Sequence, residues 1–220
     1  MSVLVNEAGV AVPKVLVGVP CGDDVKAGFA QDLALMLSYT TYVRPDVEVG
    51  LAFLKGTYLP RARAGIVQYA QDRTSTHLLW LDADMRFPKD TLLRLLAHDK
   101  PIVAANYAMR NHPIIPTAIT DDRMPLFESE GLKEVKACGM GVMLTSMDVY
   151  QSIGKPWFAV GYNRGLDDYS GEDTFFCERA RKCGFPVLID GALSEEVEHL
   201  GGFAYAMAHA RMTRDAATKE

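Results

Sequence analysis

The chain has 220 residues, 49% of them hydrophobic and 23% charged, which is ordinary for a globular protein and enough for the core of one α/β domain. Its net charge of −5 argues against a surface that coats DNA broadly. No apolar run reaches transmembrane length, the N-terminus lacks an export signal, and the four cysteines show neither C-x-x-C pairing nor zinc spacing, so we expect reduced thiols, a cytoplasmic location and no membrane span.

Residues 1–12 read as a loose lead-in. Lys14 to Pro20 is a first buried strand, ending in the turn Cys21-Gly22-Asp23-Asp24, where strand-end backbone groups can meet a nucleotide. A plain surface turn is the competing reading. Phe29, Leu33, Met36 and Leu37 follow the spacing of an amphipathic helix, and Val47 to Phe53 suggest a second strand. Residues 58–71 read as a helix with Leu59, Ala62, Ile66, Tyr69 and Ala70 on its apolar side. Arg61 and Arg63 lie near its start, where cations oppose the helix dipole unless a phosphate or a carboxylate is close.

The apolar run Leu78 to Leu81 stops at two acids, Asp82 and Asp84, and a helical pattern with Leu92, Leu93 and Leu96 follows. A run without alternation suits a strand buried on both faces, and ligands of open α/β sheets bind beyond the carboxyl ends of such strands. Side chains at i and i+2 of an extended segment point the same way, so the two carboxylates can converge on a cation. Oxygen ligands of this kind suit Mg²⁺ or Mn²⁺. A solvated strand-end turn explains the pair alone equally well.

Pro101 to Asn106 is another buried strand, and Tyr107 to Leu132 is an irregular segment of the length of a binding loop or lid. Val135 to Leu144 reads as one strand interrupted by Cys138-Gly139-Met140-Gly141, the glycines marking a bulge or a close approach. Trp157 is a packing residue or a platform for a ring. Ser170-Gly171-Glu172-Asp173 opens a helix with Phe176, Ala180 and Cys183, and Gly184 terminates it. Here Ser170 and Asp173 have capping-box spacing. Phe185 to Asp190 is a strand, Ser194 to Gly201 gathers Glu195, Glu196, Glu198 and His199, and a last helix starts near Phe203.

Taken in order, the strand Val15 to Pro20, the Arg61-Ala62-Arg63 helix start, Leu81-Asp82-Ala83-Asp84, Cys138 to Leu144, Gly171 to Phe176 and His199-Leu200-Gly201 resemble nucleotide-sugar glycosyltransferases of the GT-A fold, family-2-like, over about residues 14–202. The resemblance implies a single Rossmann-like α/β domain with a mostly parallel central sheet flanked by helices. It implies a divalent metal, Mn²⁺ in preference to Mg²⁺, held by Asp84 and His199. Asp82 enters as a water-mediated ligand or as a partner of ribose or sugar hydroxyls. The donor is a nucleoside-diphosphate sugar, a UDP-sugar first. It would lie along Pro20, Cys21, Gly22, Arg61, Arg63, Asp82, Ala83, Gly139 and Gly141. Glu172 and Asp173 match the family's Glu-Asp pair, with Asp173 the general base of inverting members. Stereochemistry stays open. One departure is Ala62-Arg63-Ala64, where the family often has Ala-Arg-Asn.

The chain also resembles small bacteriophage-encoded transferases, some of which are expected to act on hydroxymethylated pyrimidines in DNA. Arg110, His112 and Arg123 in the loop and Arg211, Arg214 and Lys219 in the tail are the candidate phosphate-tracking cations. A surface glycan or a small molecule is the other acceptor class. A nucleotidyltransferase and a catalytically silent binding domain are the rival functions. The acidic, glycine-poor turn at 21–24 counts against the first, and the presence of Asp84, Asp173 and His199 against the second.

Overall fold

The computed structural model describes residues 12–128, 130–165 and 167–218. The elements run β1 (Lys14–Cys21), α1 (Ala27–Val43), β2 (Glu48–Lys55), α2 (Leu59–Asp72), β3 (His77–Leu81), β4 (Met85–Arg86), α3 (Thr91–Ala97) and β5 (Ile102–Ala104). They continue with β6 (Leu132–Val135), β7 (Val142–Ser146), α4 (Met147–Ile153), β8 (Gly161–Asn163), β9 (Asp168–Ser170) and α5 (Glu172–Lys182). The chain closes with β10 (Val187–Asp190), α6 (Gly191–Ser194), β11 (Glu198–Leu200), β12 (Ala204–Ala206) and α7 (Met207–Ala217).

A seven-stranded sheet has the order β2-β1-β3-β7-β5-β10-β6. Strands β2, β1, β3, β5 and β10 share one direction, while β7 and β6 run against them. Both faces of the sheet are covered at its central strands, while the edge strand β2 is largely exposed. Leu16, Leu78 and Trp80 pack with Ile66 and Val67 of α2, Tyr150 of α4 and Phe176 of α5. Val17, Leu79 and Leu81 point the other way, onto Phe29 and Met36 of α1 and Leu92 and Leu95 of α3. This two-sided burial is why the strands read as continuous apolar runs.

Three sequence expectations change. Val135 to Leu144 is not one bulged strand. It divides into β6 at the sheet edge and β7 in the sheet centre, with the Cys138–Gly141 segment crossing between them. The capping box at Ser170 does not form, because Gly171 is the N-cap and no side chain caps the helix. The last helix begins at Met207, after β12 has used residues 204–206. Gly184 does end α5, at φ +86°, a conformation that favours glycine. Among the described residues no helix is long and apolar enough to cross a membrane, and all four cysteines are free.

Candidate active site

Strand β3 carries Asp82 and Asp84 out of the sheet at its carboxyl end, beside the end of β1. The Asp82 amide donates to the Gly141 carbonyl (3.0 Å) and the Lys26 amide to the Ala83 carbonyl (3.1 Å), which tie the acidic turn to β7 and to the β1–α1 turn. A small antiparallel sheet, β12-β11-β4, then brings in the late histidine. His199 pairs with Met85, the residue after Asp84, and the Leu200 amide donates to the Asp84 carbonyl (2.7 Å). The result is a cleft of about 510 Å³ whose lining includes Pro20, Cys21, Gly22, Asp82, Ala83, Asp84 and His199.

The two aspartates have different surroundings. His199 Nε2 lies 3.5 Å from Asp84 Oδ1, and Arg110 Nη1 lies 2.8 Å from Asp84 Oδ2. Burial pushes the Asp84 carboxyl up, but the hydrogen bond and charge of His199, with the charge of Arg110, outweigh it and hold the group below its ordinary value. Asp82 instead accepts from Arg63 Nη2 (2.9 Å), whose Nε reaches Glu172 Oε1 at 3.2 Å. Arg63 is only 2% exposed and lies 5.2 Å over the Trp80 ring, and its Nη1 has no hydrogen-bond partner among the described residues. Burial works against its charge, but Asp82 and Glu172 win and raise its pKa.

These contacts decide which cation chemistry the residues fit. Asp84 and His199 offer one oxygen and one nitrogen donor side by side, and Asp82 is already engaged by a guanidinium. Among the described residues no group of three His, Cys, Asp or Glu side chains is gathered as a ligand set. Two protein donors with the remainder from phosphate oxygens and water fit Mg²⁺ or Mn²⁺ at a nucleotide site, and imidazole favours Mn²⁺.

Asp173 stands in the first turn of α5, accepting from the Thr174 amide at 2.6 Å. A Cβ at Gly171 would lie 2.6 Å from Asp173 Oδ1, so the glycine N-cap makes room for the carboxylate. Burial first, then the charge of Glu172, raises the Asp173 pKa against the Thr174 amide and Arg63.

Other expected residues are placed differently. Arg61 lines a neighbouring cleft of about 910 Å³ with Tyr58, Lys155 and Trp157, and Gly56 lines both clefts. Trp157 is a packing residue, 4% exposed, donating from Nε1 to the Tyr150 carbonyl. Gly139 and Gly141 do not line the first cleft. They make room for Tyr107, whose hydroxyl accepts from the Gly141 amide at 3.1 Å. A Cβ at Gly139 would overlap that hydroxyl, so we expect Gly139→Ala to lose about 1–3 kcal/mol, read as a lower urea midpoint. An unchanged midpoint would mean the ring has another place to go. Three of the six expected DNA-tracking cations are held in ion pairs, Arg110 with Asp84, Arg211 with Glu195, and Arg214 with Glu128 and Asp215, while His112 and Arg123 make none among the described residues. Lys219 lies outside the described residues.

Sequence reasoning missed Tyr107 and the part Arg110 plays. Tyr107 is buried, its ring 5.3 Å from His199, and burial with the charges of Asp82 and Asp173 raises its pKa well above the ordinary value. Its position just beyond the end of β5, on the same edge as Asp82, was the available signal.

No family model matches the chain, and no curated protein matches it. Among solved structures, A197 from STIV superposes with a TM-score of 0.59 at 16% identity, over 86% of each chain. A glycosyltransferase involved in the glycosylation of the major capsid of PBCV-1 gives 0.36 at 14% identity, over 66% of this chain and 69% of that one. UDP-glucose pyrophosphorylase complexed with UDP-glucose gives 0.49 at 7% identity, over 95% and 100%. Likeness at these last two scores assigns nothing to this chain. With A197 the likeness is one of fold: the chain has the GT-A-like α/β architecture that its motif order leads one to expect.

Proposed function

We propose that the protein is a metal-dependent glycosyltransferase that moves a sugar from a nucleoside-diphosphate donor, a UDP-sugar, to an acceptor hydroxyl. The observation that supports it is the single cleft in which the β1–α1 turn, Asp82, Asp84 and His199 meet, although they come from distant parts of the sequence. A divalent cation on Asp84 and His199 would supply Lewis-acid stabilisation of the leaving diphosphate. The chain itself supplies the rest. Backbone of residues 20–22 receives the nucleotide, and Asp82, fixed by Arg63, accepts from ribose or sugar hydroxyls. Asp173, with its raised pKa, takes the acceptor's hydroxyl proton. The net charge of −5 and the ion-paired arginines favour a glycan or small-molecule acceptor over a hydroxymethylated pyrimidine in DNA.

The test is a thermal-shift panel of UDP-, GDP-, ADP-, CDP- and dTDP-sugars with and without Mn²⁺. A ligand at 100 times its dissociation constant adds about 2.7 kcal/mol, and we expect that shift for a UDP-sugar with metal only. Asp84→Ala should erase the metal-dependent part and sugar transfer while leaving the circular dichroism spectrum intact. Retained transfer in that variant would overturn the metal assignment. Shifts with nucleoside triphosphates and none with any donor sugar would make the protein a nucleotidyltransferase. Glycosylation of hydroxymethylated DNA would reverse the acceptor preference.

A further inference from the structure

Arg110 sits in the segment after β5, on the open side of the cleft. The loop that it opens is closed at its base, by the Met109 amide on the Ile115 carbonyl (2.8 Å) and by the bridge between Ala108 and Pro116. The Arg110 side chain crosses Gly201, where a Cβ would lie 2.8 Å from Arg110 Cδ. At the tip, Nη1 is shared between Asp84 Oδ2 (2.8 Å) and the Leu200 carbonyl (3.0 Å). The side chain is still 43% exposed, so the base of the arm is fixed and the guanidinium is free to re-aim. The guanidinium of Arg63 does not line this cleft; it is buried and paired with Asp82 and Glu172. Arg61, expected from the sequence to meet phosphate, lines the adjoining cleft instead.

We infer that Arg110 is a donor-binding residue: its guanidinium balances Asp84 in the unliganded protein and passes to the donor's diphosphate when metal and nucleotide arrive. This rests on the function proposed above. A divalent cation and a guanidinium on the same carboxylate repel each other, so one of them must leave unless an anion comes between. A diphosphate is such an anion, and its paired oxygens match the planar fork of an arginine. The arm therefore acts with opposite sign on the two ligands. It competes with the metal alone and assists the nucleoside diphosphate once the metal is present.

Mn²⁺ binding, followed by electron paramagnetic resonance, and UDP binding, followed by calorimetry, give readouts that do not depend on turnover. We expect Arg110→Ala to bind Mn²⁺ alone more tightly, and UDP at saturating Mn²⁺ more weakly, each on the order of tenfold. Arg110→Lys, which keeps the charge without the fork, should fall between. Circular dichroism and melting of both variants check the fold. If wild type binds Mn²⁺ and UDP but the two affinities of Arg110→Ala stay unchanged or move together, the Arg110 assignment fails alone. If wild type binds neither, the proposed function fails and this inference with it.

Discussion

Arg63→Leu is expected to cost about 3–5 kcal/mol of folding stability, the range for removing one partner of a buried ion pair. Arg63 is 2% exposed and is the cation shared by Asp82 and Glu172, whose side chains are 26% and 12% exposed. Leucine fills much of the space beside Trp80, so a cavity contributes little. The loss comes from two carboxylates left facing one another in a partly buried site. Asp82 can recover some hydration, which places the expected value at the low end of that range. For a chain of this length each kcal/mol moves Tm by about 2–4 °C, so the change is large in a melt and in a urea titration. Arg63→Lys, which keeps a point charge but loses the fork, should fall between. Adding Asp82→Asn and Glu172→Gln to the leucine variant should recover most of the loss, because neutral partners no longer need a cation. A leucine variant with an unchanged midpoint would show that water, not Arg63, carries the two acids.

That triad also shows why part of the site was hidden in the sequence. An arginine on a helix reads as a surface residue, and here its partners lie 19 and 109 residues away. The pattern of α2 therefore gave the buried positions Ala62, Ile66 and Ala70 but not Arg63, while it placed Leu59 and Tyr69 on a face that the structure leaves exposed. What was legible has a local cause. A strand buried on both faces must be apolar throughout, so its end is marked by the first charge, and Asp82 follows Leu81 directly. The same reasoning located β1, β5 and β10. It failed at 135–144 because two strands on different sites of one sheet, joined by a short crossing, have the composition of one interrupted strand. Tyr107 and the pairing of Arg110 with Asp84 escaped for a related reason: an irregular segment has no period, and only the folded chain shows that it returns across Gly141 and Asp84.

Asp173→Asn should leave donor binding intact, reduce acceptor-dependent transfer by about 10²–10⁴-fold, and raise the melting temperature at neutral pH. The three outcomes have one cause. Burial, then the charge of Glu172, raises the Asp173 pKa above its ordinary value of 3.8, with the Thr174 amide and Arg63 opposing. A carboxyl raised on folding stabilises the protein fully below its unfolded value, and that contribution is lost as pH rises through the folded value. Once ionised, Asp173 is a charge that the fold disfavours, which is what a base needs if it is to accept a proton from a hydroxyl. Asparagine keeps the shape and removes the charge. The variant should melt above wild type at neutral pH, and the gap should close as pH falls towards the ordinary carboxylate value. Asp84, whose pKa is lowered, works in the opposite sense, losing its contribution as pH falls through its folded value, but it is present in both proteins and cancels from the comparison. The wild-type transfer rate should rise with pH as Asp173 ionises. A variant that melts higher yet transfers normally would leave Asp173 as a strained first-turn acid of α5 and move the search for the base to Glu172, the neighbouring carboxylate held by Arg63.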